Sequence, residues 1–148
     1  DLNPVYPNII YAATGGGIYR SSDKGINWIK RNRGLLEARE HSVHVDPISP
    51  ETVYTGVWAA TIEGALYKST NNGDDWSAIR FLGYVPGISW VPDIEILAVD
   101  TTSEIYITEY RRGVWKSTDG GLTWVHGRTC RRDFQTLLTS CGLQTIDW

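Results

Sequence analysis

Methionine is absent from all 148 positions, and phenylalanine and cysteine occur only twice each. The missing methionine extends to position 1, as expected of a processed chain or a segment of something longer. No signal peptide is visible. Two cysteines are too few for a disulfide-dense mini-scaffold, and neither sits in a Cys-x-x-Cys or zinc-ligand pattern. No apolar run approaches the ~20 residues that span a bilayer. Charge of one sign is also lacking. Fourteen Lys and Arg stand against 17 Asp and Glu, a net charge of −3, so nothing favours nucleic acid or an anionic membrane surface. Asn-x-Ser/Thr acceptors are missing too. What is present is apolar enough to exclude disorder, at 41% hydrophobic residues, and long enough for one domain with its own core. Seven Trp and eight Tyr dominate the aromatics, which suits strands or surfaces that grip sugars or other chains.

An internal repeat organises the chain. Ser21-Ser22-Asp23-Lys24-Gly25-Ile26-Asn27-Trp28 aligns with Ser69-Thr70-Asn71-Asn72-Gly73-Asp74-Asp75-Trp76 and with Ser117-Thr118-Asp119-Gly120-Gly121-Leu122-Thr123-Trp124. The register continues upstream through Gly17-Ile18-Tyr19-Arg20, Ala65-Leu66-Tyr67-Lys68 and Val114-Trp115-Lys116. Alternation and β-branched or aromatic content predict strands at 9–14, 18–22 and 28–32, then at 42–46, 53–58, 65–70 and 76–81, then at 95–100, 105–110, 114–118 and 123–126. Segments 35–40 and 134–139 offer one helical turn each at most. Four short strands per ~45–50 residues is the size of a propeller blade. The eight-residue motif is then the turn between third and fourth strands. Gly25, Gly73 and Gly121 supply its special backbone, Asp23, Asn71 and Asp119 accept turn amides, and each Trp packs its indole on the hairpin.

The pattern Ser/Thr-x-Asp-x-Gly-x-x-Trp resembles the Asp-box, or BNR, repeat of sialidase, family 74 xyloglucanase, sortilin-type and photosystem assembly-factor propellers. The resemblance implies an all-β fold of three four-stranded blades: about 1–40, 41–92 and 93–142, with a spare first strand at 143–148. It marks blade architecture rather than chemistry, since in those families the box lies opposite the ligand face. Asn71 departs from the pattern by keeping the acceptor and losing the charge, a change the turn should survive.

The termini fit one another. The start at Asp1-Leu2-Asn3-Pro4 looks like the Asp-Pro turn that follows a first strand, as at Asp46-Pro47. The end at Leu143-Gln144-Thr145-Ile146-Asp147-Trp148 looks like a first strand. Three blades are too few for a closed ring. Either further blades of a longer chain complete the propeller, or a second copy does, giving a dimeric six-blade ring or a filament. Cys130 and Cys141 are placed to pin the loop between them as a disulfide, which favours an extracellular or otherwise oxidising compartment.

Candidate binding residues gather in the loops of the face opposite the turns: Trp58, Tyr84, Trp90, Tyr110, Arg111 and Arg112. The apolar segment 82–92 reads as a loop tucked over the core or as an interface. Sialidase-like catalysis is disfavoured, because Glu109, Tyr110, Arg111 and Arg112 are adjacent on a strand and cannot converge. Xyloglucanase-like catalysis needs facing carboxylates. The first blade resembles that family around Thr14, but Gly15 stands where the resemblance implies an Asp. His41 and His44 face opposite sides of a strand and do not form a metal pair. No cofactor, metal, nucleic-acid partner or membrane span is expected. The reading is therefore a secreted, non-catalytic interaction module that assembles through blade contacts and exchange of its C-terminal strand. The alternative is a fragment of a carbohydrate-active propeller, either a glycoside hydrolase or a glycan-binding lectin.

Overall fold

The computed structural model describes residues 1–35, 39–58, 65–81, 94–99, 103–109 and 113–127, with backbone alone at 39–41, 58, 80–81, 94–99, 109 and 113. Among these residues there are eleven strands and no helix. The first sheet holds β1 (Ile10–Thr14), β2 (Gly17–Ser21) and β3 (Ile29–Lys30) in that order. The second holds β4 (Arg39–Val45), β5 (Val53–Trp58), β6 (Ala65–Ser69) and β7 (Ser77–Phe81). The third holds β8 (Ile94–Val99), β9 (Ile105–Glu109), β10 (Gly113–Ser117) and β11 (Val125–His126). Every pairing is between neighbours in the chain and antiparallel, which is the meander of a propeller blade.

The sheets stack face on face, and strand alternation divides each strand between two junctions. Val53 and Val57 of β5, with Ala65 and Tyr67 of β6, join Tyr11 and Ile18 of the first sheet, together with Val43, Val45 and Trp76. Tyr54 and Leu66, from the opposite faces of the same strands, join Ile105 and Ile107 of the third sheet. The middle sheet is thus buried on both sides, and four of the five residues of β6 are buried. Tyr54 is 1% exposed, and burial next to Asp46 pushes its phenol up to about 12.

Repetition extends to the turns between first and second strands. The Asp46 carboxylate accepts from the amides of Ile48 and Ser49, at 2.9 and 3.1 Å. The Asn3 side-chain oxygen accepts from Val5 and Tyr6 at 3.0 and 2.9 Å. Asn3 N–H donates to the Ile9 carbonyl as Asp46 N–H does to Thr52. The terminal resemblance therefore resolves onto Asn3 rather than Asp1. The first sheet is also not wholly without an inner strand. Leu2 bridges Ile10, and Asp1 exchanges backbone hydrogen bonds with Tyr11 in both directions.

One expectation changes at its end: of the helical turn foreseen at 35–40, residues 36–38 lie outside the described residues, while Arg39 and Glu40 are strand, β4 beginning at Arg39 and pairing with Trp58. A bulge at His41 absorbs the extra residue between the Glu40 and Ser42 rungs. The segment 134–139, the Cys130–Cys141 pair and the strand at 143–148 lie outside the described residues.

Gly34, in the connection between the first two sheets, lies against the backbone of Trp76. Its φ is 92°, and a Cβ there would collide with the Trp76 carbonyl. Gly15, in the first hairpin, has nothing within 4 Å of a Cβ position. Gly34→Ala should therefore lose about 2–4 kcal/mol through left-handed strain and the displaced junction. Gly15→Ala should be neutral or gain about 0.5 kcal/mol by restricting the unfolded chain. Urea-unfolding midpoints of the two variants check this contrast.

Candidate functional site

Each repeated turn is built round a buried serine. Ser21, Ser69 and Ser117 are at most 1% exposed. Each hydroxyl donates to the Asx two residues on, at 2.8, 2.9 and 2.8 Å. Each also accepts from the glycine amide four residues on, at 2.8, 2.9 and 2.9 Å. The fourth and fifth turn residues are both left-handed, with φ of 61° and 88° at Lys24-Gly25, 60° and 80° at Asn72-Gly73, and 69° and 94° at Gly120-Gly121. Glycine was foreseen at the fifth position. The strained fourth position tolerates Lys and Asn because the serine's hydrogen bonds fix the turn around it.

The second turn inverts the polarity of the others. Asp23 accepts from the Asn27 backbone and amide at 2.8 and 2.7 Å, and Asp119 accepts from the Thr123 backbone and hydroxyl at 2.8 and 2.5 Å. In the second turn Asn71 accepts from the Asp75 amide at 2.9 Å and donates its own amide to the Asp75 carboxylate, also at 2.9 Å. The charge lost at Asn71 is thus recovered four residues later. Hydrogen bonding holds all three carboxylates low. For Asp23 the donors are Asn27, backbone first, and then Ser21. For Asp75 they are Asn71 and then Arg33. For Asp119 the Thr123 hydroxyl and backbone lead, and its pKa is pulled down to about 2.

The tryptophans do not all pack alike. Trp28 and Trp124 donate to their own turn glycines, Gly25 and Gly121, both at 3.0 Å. Trp76 instead donates its indole N–H to Arg31 at 2.8 Å and its backbone N–H to Arg33 at 2.9 Å, both in the preceding blade. Asp74, where the other turns carry Ile26 and Leu122, lies 2.8 Å from Arg31 and 3.5 Å from Arg20. Arg33 and Asp75 form a bidentate pair. This ion cluster between blades was missed in the sequence. Its signal was the shared cation at Arg20, Lys68 and Lys116.

Of the foreseen binding residues, Trp58 ends β5 and its backbone pairs with Arg39. Tyr84, Trp90, Tyr110, Arg111 and Arg112 lie outside the described residues. Glu109 ends β9, paired with Ile94 and Gly113. The first-blade hairpin is fully visible. Thr14 pairs with Gly17, its hydroxyl donates to the Gly17 carbonyl at 2.9 Å, and it accepts from Gly16 at 3.1 Å. Asn32 closes over Gly17 and accepts from Ile18 at 2.9 Å. His44 lies 3.9 Å from the Asp1 carboxylate, and the bulge at His41 breaks the strict alternation from His41 to His44. Among the described residues no group of three His, Cys, Asp or Glu is placed to hold a metal ion. No described helix is long and apolar enough to cross a membrane.

Two outcomes follow from the turns. Asp23→Asn sets two amides against each other and should cost about 1 kcal/mol. Adding Asn27→Asp reproduces the second turn and should recover most of that loss, which a double-mutant cycle by chemical denaturation reads out. The second outcome concerns acid. Asp119 is depressed in the folded state, so its contribution is complete above the unfolded value of 3.8 and is lost as pH falls through about 2. Asp119→Asn should flatten the fall in stability between about pH 4 and pH 2, measured as urea midpoints against pH.

No family model matches the chain. Curated relatives do. It is 31% identical, over 146 aligned positions, to the xyloglucanase Xgh74A of Acetivibrio thermocellus, covering 83% of this chain and 16% of that one. It is 28% identical over 126 positions to a probable oligoxyloglucan-reducing end-specific xyloglucanase of Neosartorya fischeri, covering 83% and 14%. The chain thus spans about one sixth of the length of these relatives. Among solved structures, an ancestral GH74 enzyme superposes with a TM-score of 0.67 at 17% identity, covering 84% of this chain and 17% of that one. YCF48 from Cyanidioschyzon merolae gives 0.60 at 20% identity, covering 86% and 35%. These relatives overturn the reading of a non-catalytic module, because the curated ones are named as xyloglucanases. That reading leaned on turns that serve the fold whatever the chemistry of the opposite face. Sheet order, stacking and relatives agree that the chain belongs to the β-propeller superfamily of the sialidase and xyloglucanase type.

Proposed function

We propose that the chain is a three-blade segment of a secreted, carbohydrate-active propeller of the glycoside hydrolase kind, acting on a xyloglucan-type glycan. The observation that carries this reading is the 31% identity, across 83% of the chain, to a protein named as a xyloglucanase. Two features of the chain support it. The hairpin at Thr14–Gly17 is short, with open space round Gly15, so a glycan can approach the backbone there. Trp58 is the last residue of β5, and tryptophan is a residue type whose ring suits stacking on a sugar.

Gly15 sets the division of labour. The resemblance puts a carboxylate at this position, and glycine cannot supply one. The facing carboxylates that glycoside hydrolysis needs must then come from other blades or other loops. This segment contributes glycan contact and scaffold. Secretion follows from the substrate class, since plant-wall glycans are met outside the cell.

Affinity electrophoresis tests the proposal. Migration of the chain should slow in gels containing xyloglucan and stay unchanged in gels containing dextran. Trp58→Ala should weaken the retardation about three- to tenfold, the worth of one aromatic stacking contact. Unretarded migration in xyloglucan would remove the glycan reading.

A further inference from the structure

At each junction between sheets a cation meets the strained fourth residue of the next turn. Arg20 donates to the carbonyl of Asn72 at 2.8 Å, and Lys68 donates to the carbonyl of Gly120 at 3.3 Å. The fourth residues themselves differ: they are Lys24, Asn72 and Gly120. Of the six asparagines in the sequence, Asn72 alone is followed by glycine. In an Asn-Gly pair no Cβ shields the following amide nitrogen, which can attack the asparagine side chain. The second turn thus places a chemically labile peptide link at the seam between the first two blades.

Three hydrogen bonds hold that dipeptide. Asn72 N–H donates to the Glu51 carbonyl at 2.8 Å, the Asn72 carbonyl accepts from Arg20, and Gly73 N–H donates to the buried Ser69 hydroxyl at 2.9 Å. The peptide plane between Asn72 and Gly73 is therefore gripped at both ends, by the first blade at its oxygen and by the second at its nitrogen. Gly73 also packs on the first blade, with Tyr11 3.4 Å and Arg31 3.9 Å from where a Cβ would stand. The Asn72 side chain is half-buried and hydrogen-bonds to no described residue. The electrophile is loose, and the nucleophile is locked.

We propose that Asn72 is a deamidation site sealed by the first junction, one that reacts when the first two blades part and then keeps them from closing as before. The step begins when the Gly73 nitrogen, released from Ser69, gives its proton to water. The nitrogen bonds to Cγ of Asn72, the C–N bond of the side-chain amide breaks, and ammonia leaves with a proton taken from solvent. Water then opens the five-membered imide at one of its two carbonyls, which leaves aspartate or isoaspartate. Either product puts a further carboxylate beside Asp74 and Asp75, whose partners Arg20, Arg31 and Arg33 are already engaged. In isoaspartate the main chain also runs through Cβ and is one atom longer. The carbonyl that Arg20 held becomes a side carboxylate, and Gly73 shifts against Ser69 and Tyr11. Trp76, which reaches Arg31 and Arg33 from the same turn, loses its register with them. This site goes beyond the glycan reading and does not rest on it.

Incubation at neutral pH, followed by peptide-mapping mass spectrometry of the segment that holds Asn72, tests it. The folded chain should convert at least about tenfold more slowly than the urea-unfolded chain, a comparison that needs no variant. Arg20→Ala, checked as folded by circular dichroism, should speed conversion about three- to tenfold, the worth of one hydrogen bond from a charged group. Lys68→Ala releases the same kind of contact at the other junction and should leave the rate at Asn72 unchanged. The isoaspartyl form, separated by ion exchange, should show Trp76 open to hydroxyl-radical oxidation, against 4% exposure in the parent chain. Equal rates in the folded and unfolded chains would overturn the proposal. So would a folded Arg20→Ala variant that converts no faster, an equal acceleration by Lys68→Ala, or an isoaspartyl form in which Trp76 is still protected.

Discussion

A single buried hydroxyl, repeated three times, carries the architecture. Ser21, Ser69 and Ser117 each donate to an Asx oxygen and accept a glycine amide. Those two bonds hold consecutive residues in the left-handed region that L-residues otherwise avoid. The strained fourth residue then turns its carbonyl toward the neighbouring blade, where a cation meets it at both junctions. The eighth residue lays its indole at the same seam. Local turn geometry and blade stacking are thus one system. A buried hydroxyl without its partners would cost about 1–3 kcal/mol and would also loosen the contact between sheets.

The fold was largely legible because its signals are local and repeated. Three copies of an eight-residue motif at one spacing gave the turns, and alternation gave the strands to within a few residues at most ends. What escaped depended on neighbours. The start of β4 was obscured by Leu35, Glu37 and Glu40, which look helical by type, whereas Arg39 is held by its rung with Trp58. Asp74 read as an ordinary turn residue, because nothing beside it in sequence announces Arg20 and Arg31 across the junction. The role of Trp76 was hidden for the same reason. All three tryptophans look equivalent along the chain, and only stacking separates the one that bonds to a preceding blade.

The candidate site was much less legible, and the cause is physical. A repeat motif is kept by the demands of the turn, so it reports on the turn. Ligand chemistry sits in loops that differ from blade to blade and leave no periodic trace. Gly15 was the loop position with a specific catalytic expectation, and it spoke only of a missing carboxylate. That absence, joined to turns indifferent to chemistry, pointed to a module without catalysis. Similarity to xyloglucanases along most of the chain reverses the inference. A segment can lack one functional group and still belong to a propeller that works on glycans, because such sites are assembled from several blades.

The two junctions also show how charge and apolar burial divide their tasks. The first carries Arg20, Arg31 and Arg33 against Asp74 and Asp75, whereas across the second Lys68 donates to the Gly120 carbonyl and the Ser103 hydroxyl donates to the Asp46 carboxylate. Ion pairs this exposed contribute about 0–1 kcal/mol each, so they do not set the strength of the stack. Burial does: Tyr11, Ile18, Val53 and Val57 on one side, and Tyr54, Leu66, Ile105 and Ile107 on the other, are each at most 2% exposed. Apolar faces alone, however, slide over one another with little penalty. The cations remove that freedom, since each can reach a turn carbonyl in only one alignment of the sheets. Tyr11 and Tyr54 stand across the same rung from Arg20 and Lys68, and the Lys68 ammonium lies over the Tyr54 ring. Hydrophobic burial gives the stack its stability, and one cation per blade gives it register.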